Sequence, residues 1–256
     1  MKSRLQWTVP FAAFVVSAAV AMSAVGAPKE PKVPAYVSKA VADPARAKDA
    51  EDDARRKGAA LVAFSEVKPG DKVLELVPGG GYFTRIFSKV VGPDGQVYAA
   101  IPAPMEKYSD ETKELPKAYP NVSLLQQPAD ALSAPQPVDV VFTAQNYHDY
   151  PDKFMGPTDP AVLNKAVFAA LKPGGTYIVV DHVAEAGSGM RDTDTLHRID
   201  PAIVKQQVEA AGFEYVGELD VLRNPKDDHK ATVFDKGIRG HTDQFVYKFR
   251  KPKTAK

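Results

Sequence analysis

The side chains able to move protons near neutral pH are few and unevenly placed. Five histidines occur, and three fall in polar clusters: Gln145-Asn146-Tyr147-His148-Asp149-Tyr150, Asp181-His182, and a stretch carrying Arg191, Asp192, Asp194, His197 and Arg198. The first two clusters follow apolar runs of strand type. A histidine held there beside polar groups suits the removal of a proton from an acceptor hydroxyl. His148, with Asp149 as its polar neighbour, ranks first for that role and His182 second. Cysteine is absent, which excludes thiolate nucleophiles, disulfides and cysteine-based metal centres.

A second feature is a glycine-rich turn. Val73-Leu74-Glu75-Leu76-Val77 is an apolar run with one acid, Pro78-Gly79-Gly80-Gly81 follows, and Tyr82-Phe83-Thr84 begins a helical pattern. Glycines at the carboxyl end of a strand permit tight turns and close approach of a ligand. The three consecutive glycines do not match the Gly-x-Gly-x-x-Gly of dinucleotide sites, since Thr84 stands where the third glycine should fall. The Gly-Lys-Ser/Thr of a phosphate-binding loop is also missing.

These residues need a scaffold that brings strand ends together. Strand-type runs fall at 72–77, 96–101, 122–126, 138–144 and 176–181, and helical segments at 82–91, 105–118 and 160–171 alternate with them. A helix at 201–211, with Asp200 as N-cap, and strands at 214–221 and 244–249 complete the pattern. Alternation of this kind implies an α/β fold with a mostly parallel sheet covered on both faces.

Charge is nearly balanced, with 33 basic against 32 acidic residues. A nucleic-acid footprint needs a basic patch or stripe, and none is visible. The first 26 residues order a basic start (Lys2, Arg4), an apolar run and the small residues Ala24-Val25-Gly26. That is the order of a secretory signal peptide cleaved after Gly26, and no stable membrane insertion is expected of the mature chain. An uncleaved anchor is the alternative. Residues 27–58 read as a linker and a surface helix, 59–251 as one domain and 252–256 as a basic tail.

The segment Glu75 to Gly81 resembles motif I of the class I S-adenosylmethionine (SAM)-dependent methyltransferases, and further segments follow in that family's order. Residues 95–99 look like its second strand, Ala129-Asp130-Ala131 like the segment after its third, 138–142 like its fourth, and Leu171-Lys172-Pro173-Gly174-Gly175 like the turn into its fifth. The turn Pro78-Gly79-Gly80-Gly81-Tyr82, with Asn146-Tyr147-His148-Asp149 and His197-Arg198-Ile199-Asp200, resembles a poorly characterised group of exported predicted bacterial methyltransferases. The resemblance implies a Rossmann-like doubly wound sheet with an antiparallel final strand, and SAM as cofactor. It implies that Glu75 supports the loop, that Pro78, Gly79, Gly80 and Gly81 lie against the amino-acid part of SAM with Asn146 nearby, and that Asp130 meets adenine. Two positions depart from the family: Val77 replaces its first motif-I glycine, and Ile101 stands where an acid usually holds the ribose.

The expected activity is methyl transfer to a small-molecule acceptor, such as a hydroxyl deprotonated with histidine assistance. An exported ligand-binding protein that keeps the fold without catalysis is the alternative. A metal is not expected, although Asp181-His182 stands where related metal-dependent enzymes carry Asp-Asn, and Asn146, His148 and Asp149 could add ligands. The fourth-strand aspartate of those enzymes falls at Ala144. Residues 222–243, far longer than a hairpin turn, read either as a lid over the substrate or as a flexible loop.

Overall fold

The computed structural model describes residues 31–253. The expected signal peptide and the last residues of the basic tail lie outside the described residues. Seven strands form one sheet: β1 (Lys72–Leu76), β2 (Gln96–Pro102), β3 (Val122–Gln127), β4 (Val138–Ala144), β5 (Leu171–His182), β6 (Glu214–Glu218) and β7 (Gln244–Arg250). Their order is β3-β2-β1-β4-β5-β7-β6. The first five pair in parallel, and β7 runs antiparallel to both β5 and β6. This is the mostly parallel sheet that the strand–helix alternation implies, in the doubly wound, Rossmann-like form that the family resemblance implies.

The central strands read as continuous apolar runs because helices cover both faces. One layer contains α1 (Ala35–Val41), α2 (Ala50–Arg56), α3 (Gly58–Phe64) and α4 (Tyr82–Val91), with Val37, Leu61, Ile86 and Phe87 in its core. The other contains α7 (Pro160–Ala170) and α9 (Pro201–Ala210), with Leu163, Val167, Val204 and Val208. Helices α7 and α9 start as their sequences demand. Asp159 and Asp200 accept from the backbone N–H groups of Ala161 and Ala202, each with proline next. Proline at that position gives up an N–H that has no helical partner anyway.

Two local expectations need correction. The segment expected as linker and surface helix belongs to the body. A 3-10 helix at Pro44–Asp49 precedes α2, and Arg46 and Asp49 are buried. Arg85 of α4 grips Asp49 through two N–H groups at 2.5 and 2.7 Å, and Arg46 reaches Asp53 at 2.9 Å. These acids and bases look like a solvated face in one dimension because their partners lie elsewhere in the chain. The region 105–118 is not one helix. It forms a 3-10 turn at Ala103–Tyr108 and two single-turn helices, α5 (Asp110–Lys113) and α6 (Leu115–Ala118). Pro116 has no N–H to continue the ladder across them.

Candidate active site

The carboxyl ends of β1, β4 and β5 open onto one side of the sheet. A pocket of about 500 Å³ lies there, walled by Met105, Tyr108, Phe154 and Phe234, with Asn146 and His182 among its polar groups. The strand-end clusters therefore meet as the sequence suggests. A bridge between Val183 and Ile199 folds the chain back after β5, so that His197, at the end of the one-turn helix α8 (Thr193–Leu196), joins them.

His148 is buried with both ring nitrogens engaged. Its Nδ1 lies 2.7 Å from Asp181 Oδ1, and its Nε2 lies 3.1 Å from Asp149 Oδ1. Its backbone N–H also donates to Asp181 Oδ2 at 2.8 Å. Burial disfavours a charged ring, but the two carboxylates outweigh it and raise the His148 pKa to about 10. A ring in this state has no free lone pair, which is the physical difficulty with His148 as the base. Asp149 also faces His197, whose Nδ1 is 3.6 Å from Asp149 Oδ1. Burial alone would raise Asp149; the two histidines hold it below the usual carboxylate range.

His182 is in the opposite state. Its Nδ1 lies 2.7 Å from Thr242 Oγ1, and its Nε2 has no protein partner among the described residues. Burial lowers its pKa to about 4, overriding the attraction of Asp181. The ring is neutral at pH 7 and lines the pocket.

The glycine turn stands beside the pocket. Val77 adopts a φ of 51°, so a β-branched residue occupies the left-handed conformation for which glycine is usual. Gly79 and Gly81 also have positive φ, at 57° and 78°. A Cβ on Gly79 would meet nothing within 4 Å, whereas one on Gly81 would lie 2.5 Å from Leu115 Cδ1. The open side of the turn is thus at Gly79. The Asn146 amide donates to the carbonyls of Val77 and Ala144 at 3.3 and 2.5 Å, tying the exit of β4 to this turn.

No family model matches the chain. It is 30% identical over 178 residues to the ubiquinone/menaquinone biosynthesis C-methyltransferase UbiE of Shewanella woodyi, covering 67% of each protein. The chain belongs to the class I SAM-dependent methyltransferases. The UbiE enzyme of Pasteurella multocida is 35% identical over 119 residues, covering 46% of this chain and 42% of that one. Among solved structures, a SAM-dependent methyltransferase from Aquifex aeolicus superposes with a TM-score of 0.55 at 20% identity, covering 84% of this chain and 98% of that one. A putative methyltransferase from Bacillus halodurans gives 0.56 at 16%, covering 77% and 99%.

The cofactor of this methyltransferase is SAM, and its strand β1 and glycine turn fit that ligand. The turn leaves open space at Gly79 for a close approach, with Gly80 exposed and Pro78 closing the turn by accepting from the Gly81 N–H at 2.9 Å. Asp130 sits exposed in a 3-10 turn after β3, and its side chain makes no hydrogen bond among the described residues. Ile101 is wholly buried and supplies no polar group for a ribose.

Glu75, expected to support the loop, accepts from Thr84 Oγ1 at 2.6 Å and so ties β1 to the start of α4 across the turn. Burial raises its pKa to about 7, against the pull of Thr84, Arg56 and Arg85. A carboxyl whose folded pKa is raised contributes stability below its ordinary value of 4.5 and loses it as pH rises through 7. The shift corresponds to roughly 3 kcal/mol above that range. Glu75→Gln should therefore melt higher than the parent at pH 8 and nearly equal to it at pH 4.5. An equal difference at both pH values would show that Glu75 is not held this way.

Two contributors come from beyond the strand ends, His197 from the polar cluster after β5 and Phe234 from the stretch read as a possible lid. His197 caps a one-turn helix with a left-handed φ of 54°, away from any strand end. Phe234 comes from the long connection and packs edge-on against His197, their centroids 4.8 Å apart. That connection is anchored rather than loose. Arg198 binds both oxygens of Asp227 at 2.9 and 3.1 Å, and Asp243 receives Arg223 at 2.8 and 3.0 Å.

Proposed function

We propose that this methyltransferase acts on a small acceptor bearing an ionisable hydroxyl on or beside an aromatic ring. The observation that carries this reading is the pocket beside the glycine turn. Its walls of Met105, Tyr108, Phe154 and Phe234 suit a flat apolar body, and His182 offers a neutral imidazole to a hydroxyl. The UbiE relatives are named for C-methyl transfer in ubiquinone and menaquinone biosynthesis.

Bound SAM supplies a methyl group already activated on a sulfonium. The chain's own work is alignment and proton removal. The aromatic walls hold the acceptor over the ends of β4 and β5. The acceptor O–H passes its proton to His182 Nε2, and Thr242 fixes the ring through Nδ1. In this reading the base is His182. His148, locked between Asp181 and Asp149, holds Asp149 in place.

The reaction is proposed to occur outside the cytoplasm, supported by the signal-like order of the first 26 residues. The mature chain, collected from the periplasmic fraction of its host and checked for an N-terminus near Ala27, should release S-adenosylhomocysteine from SAM when given phenols, catechols or quinols. SAM binding without turnover on any such acceptor would remove the acceptor class. A cytoplasmic chain that keeps Met1 would remove the export reading.

A further inference from the structure

We infer that His148, Asp149 and His197 form a binding site for one divalent transition-metal ion at the floor of the pocket. One donor atom from each residue lies within 4.8 Å of the other two. Two separations are shorter, with His148 Nε2 at 3.1 Å and His197 Nδ1 at 3.6 Å from Asp149 Oδ1. Bonds of about 2.0–2.1 Å in a tetrahedral shell place donors roughly 3.3 Å apart, so the third pair, within 4.8 Å, would close by at most about 1.5 Å on binding. Two imidazoles and one carboxylate are a donor set that binds zinc or iron while leaving positions open.

Three further observations support the site. Asp181 accepts from His148 at Nδ1, so the remaining nitrogen, Nε2, is the one that faces Asp149 and His197. A carboxylate behind a ligand histidine fixes its tautomer and raises its basicity. Asp181 is wholly buried and takes its other hydrogen bonds from the N–H groups of His148 and His182, which hold it rigidly. Two carboxyl groups, Asp149 and Asp181, lie within 3.1 Å of the His148 ring, a setting that suits a cation. Finally, all three residues line the pocket, so the open coordination positions would face the acceptor.

The inference is independent of the acceptor reading and can fail without it. The full mature chain, stripped with a chelator, is titrated with Zn²⁺ by calorimetry and, on the same preparation, with SAM. One Zn²⁺ per chain is expected. His197→Asn keeps a residue that tolerates the left-handed backbone and removes the imidazole. It should weaken Zn²⁺ at least about 100-fold, beyond the roughly 10–100-fold typical of losing a group behind a ligand. Asp149→Asn should weaken it as well, and Co²⁺ should give visible absorption bands in the parent that His197→Asn lacks. Absence of Zn²⁺ binding, or equal affinity in a folded His197→Asn, would overturn the site. SAM binding in that same sample would leave the methyltransferase reading intact.

Discussion

Replacing Gly79 with valine should abolish SAM binding while the chain remains folded. The Gly79 backbone sits at φ 57°, and a Cβ there would meet no atom within 4 Å. The folded state therefore pays only the left-handed strain, about 1–2 kcal/mol for a single residue. The same turn already tolerates Val77 at φ 51°. On the ligand side the added isopropyl group would fill the space that the cofactor's amino-acid end needs. Calorimetry should show no heat of SAM binding, with a melting temperature lowered by only a few degrees. Normal affinity in Gly79→Val would put the cofactor elsewhere. Gly81→Val is the poorer test. Its Cβ would lie 2.5 Å from Leu115 and 3.2 Å from the Arg85 guanidinium, so loss of binding would come with loss of packing.

His182→Ala should lower turnover by about 10²-fold, the low end of the 10²–10⁴ range for positioned proton transfer. The low end applies because a base with a pKa of about 4 holds a proton weakly. SAM affinity and melting temperature should change little, since the ring's one protein hydrogen bond is to Thr242. Added imidazole should restore part of the rate. The parent rate should stay flat between pH 8 and 5.5 and fall only as His182 takes up a proton near pH 4. An unaltered rate in the variant would remove the base, and a joint fall of stability and SAM binding would make His182 structural. His148→Ala has a different expectation. It would leave Asp149 without its 3.1 Å partner and Asp181 without its 2.7 Å partner, so its first effect falls on stability.

Much of the scaffold was legible in one dimension. The approximate strand positions, the cap of α9 and the β1–turn–α4 unit follow from apolar periodicity, the Asp-Pro start at Asp200 and the glycine turn, while the antiparallel final strand came only from the family resemblance. The first three are local signals read within a dozen residues. The 105–118 region was misread because its helical composition hides the break that Pro116 imposes on hydrogen bonding. The N-terminal acids and bases looked like a surface because Asp49 finds Arg85 thirty-six positions away.

The chemistry divides in the same way. From the sequence alone came the kinds of residue at the strand ends, the glycine turn and the family resemblance, since those depend on identity and spacing along the chain. Tertiary structure decided which histidine is charged, which is neutral and which pair with Asp149. His148 and Asp181 meet across thirty-three positions, and His197 returns beside them through the Val183–Ile199 bridge. A histidine's protonation depends on burial and on carboxylates within a few ångströms, and those distances exist only once β4 and β5 lie side by side.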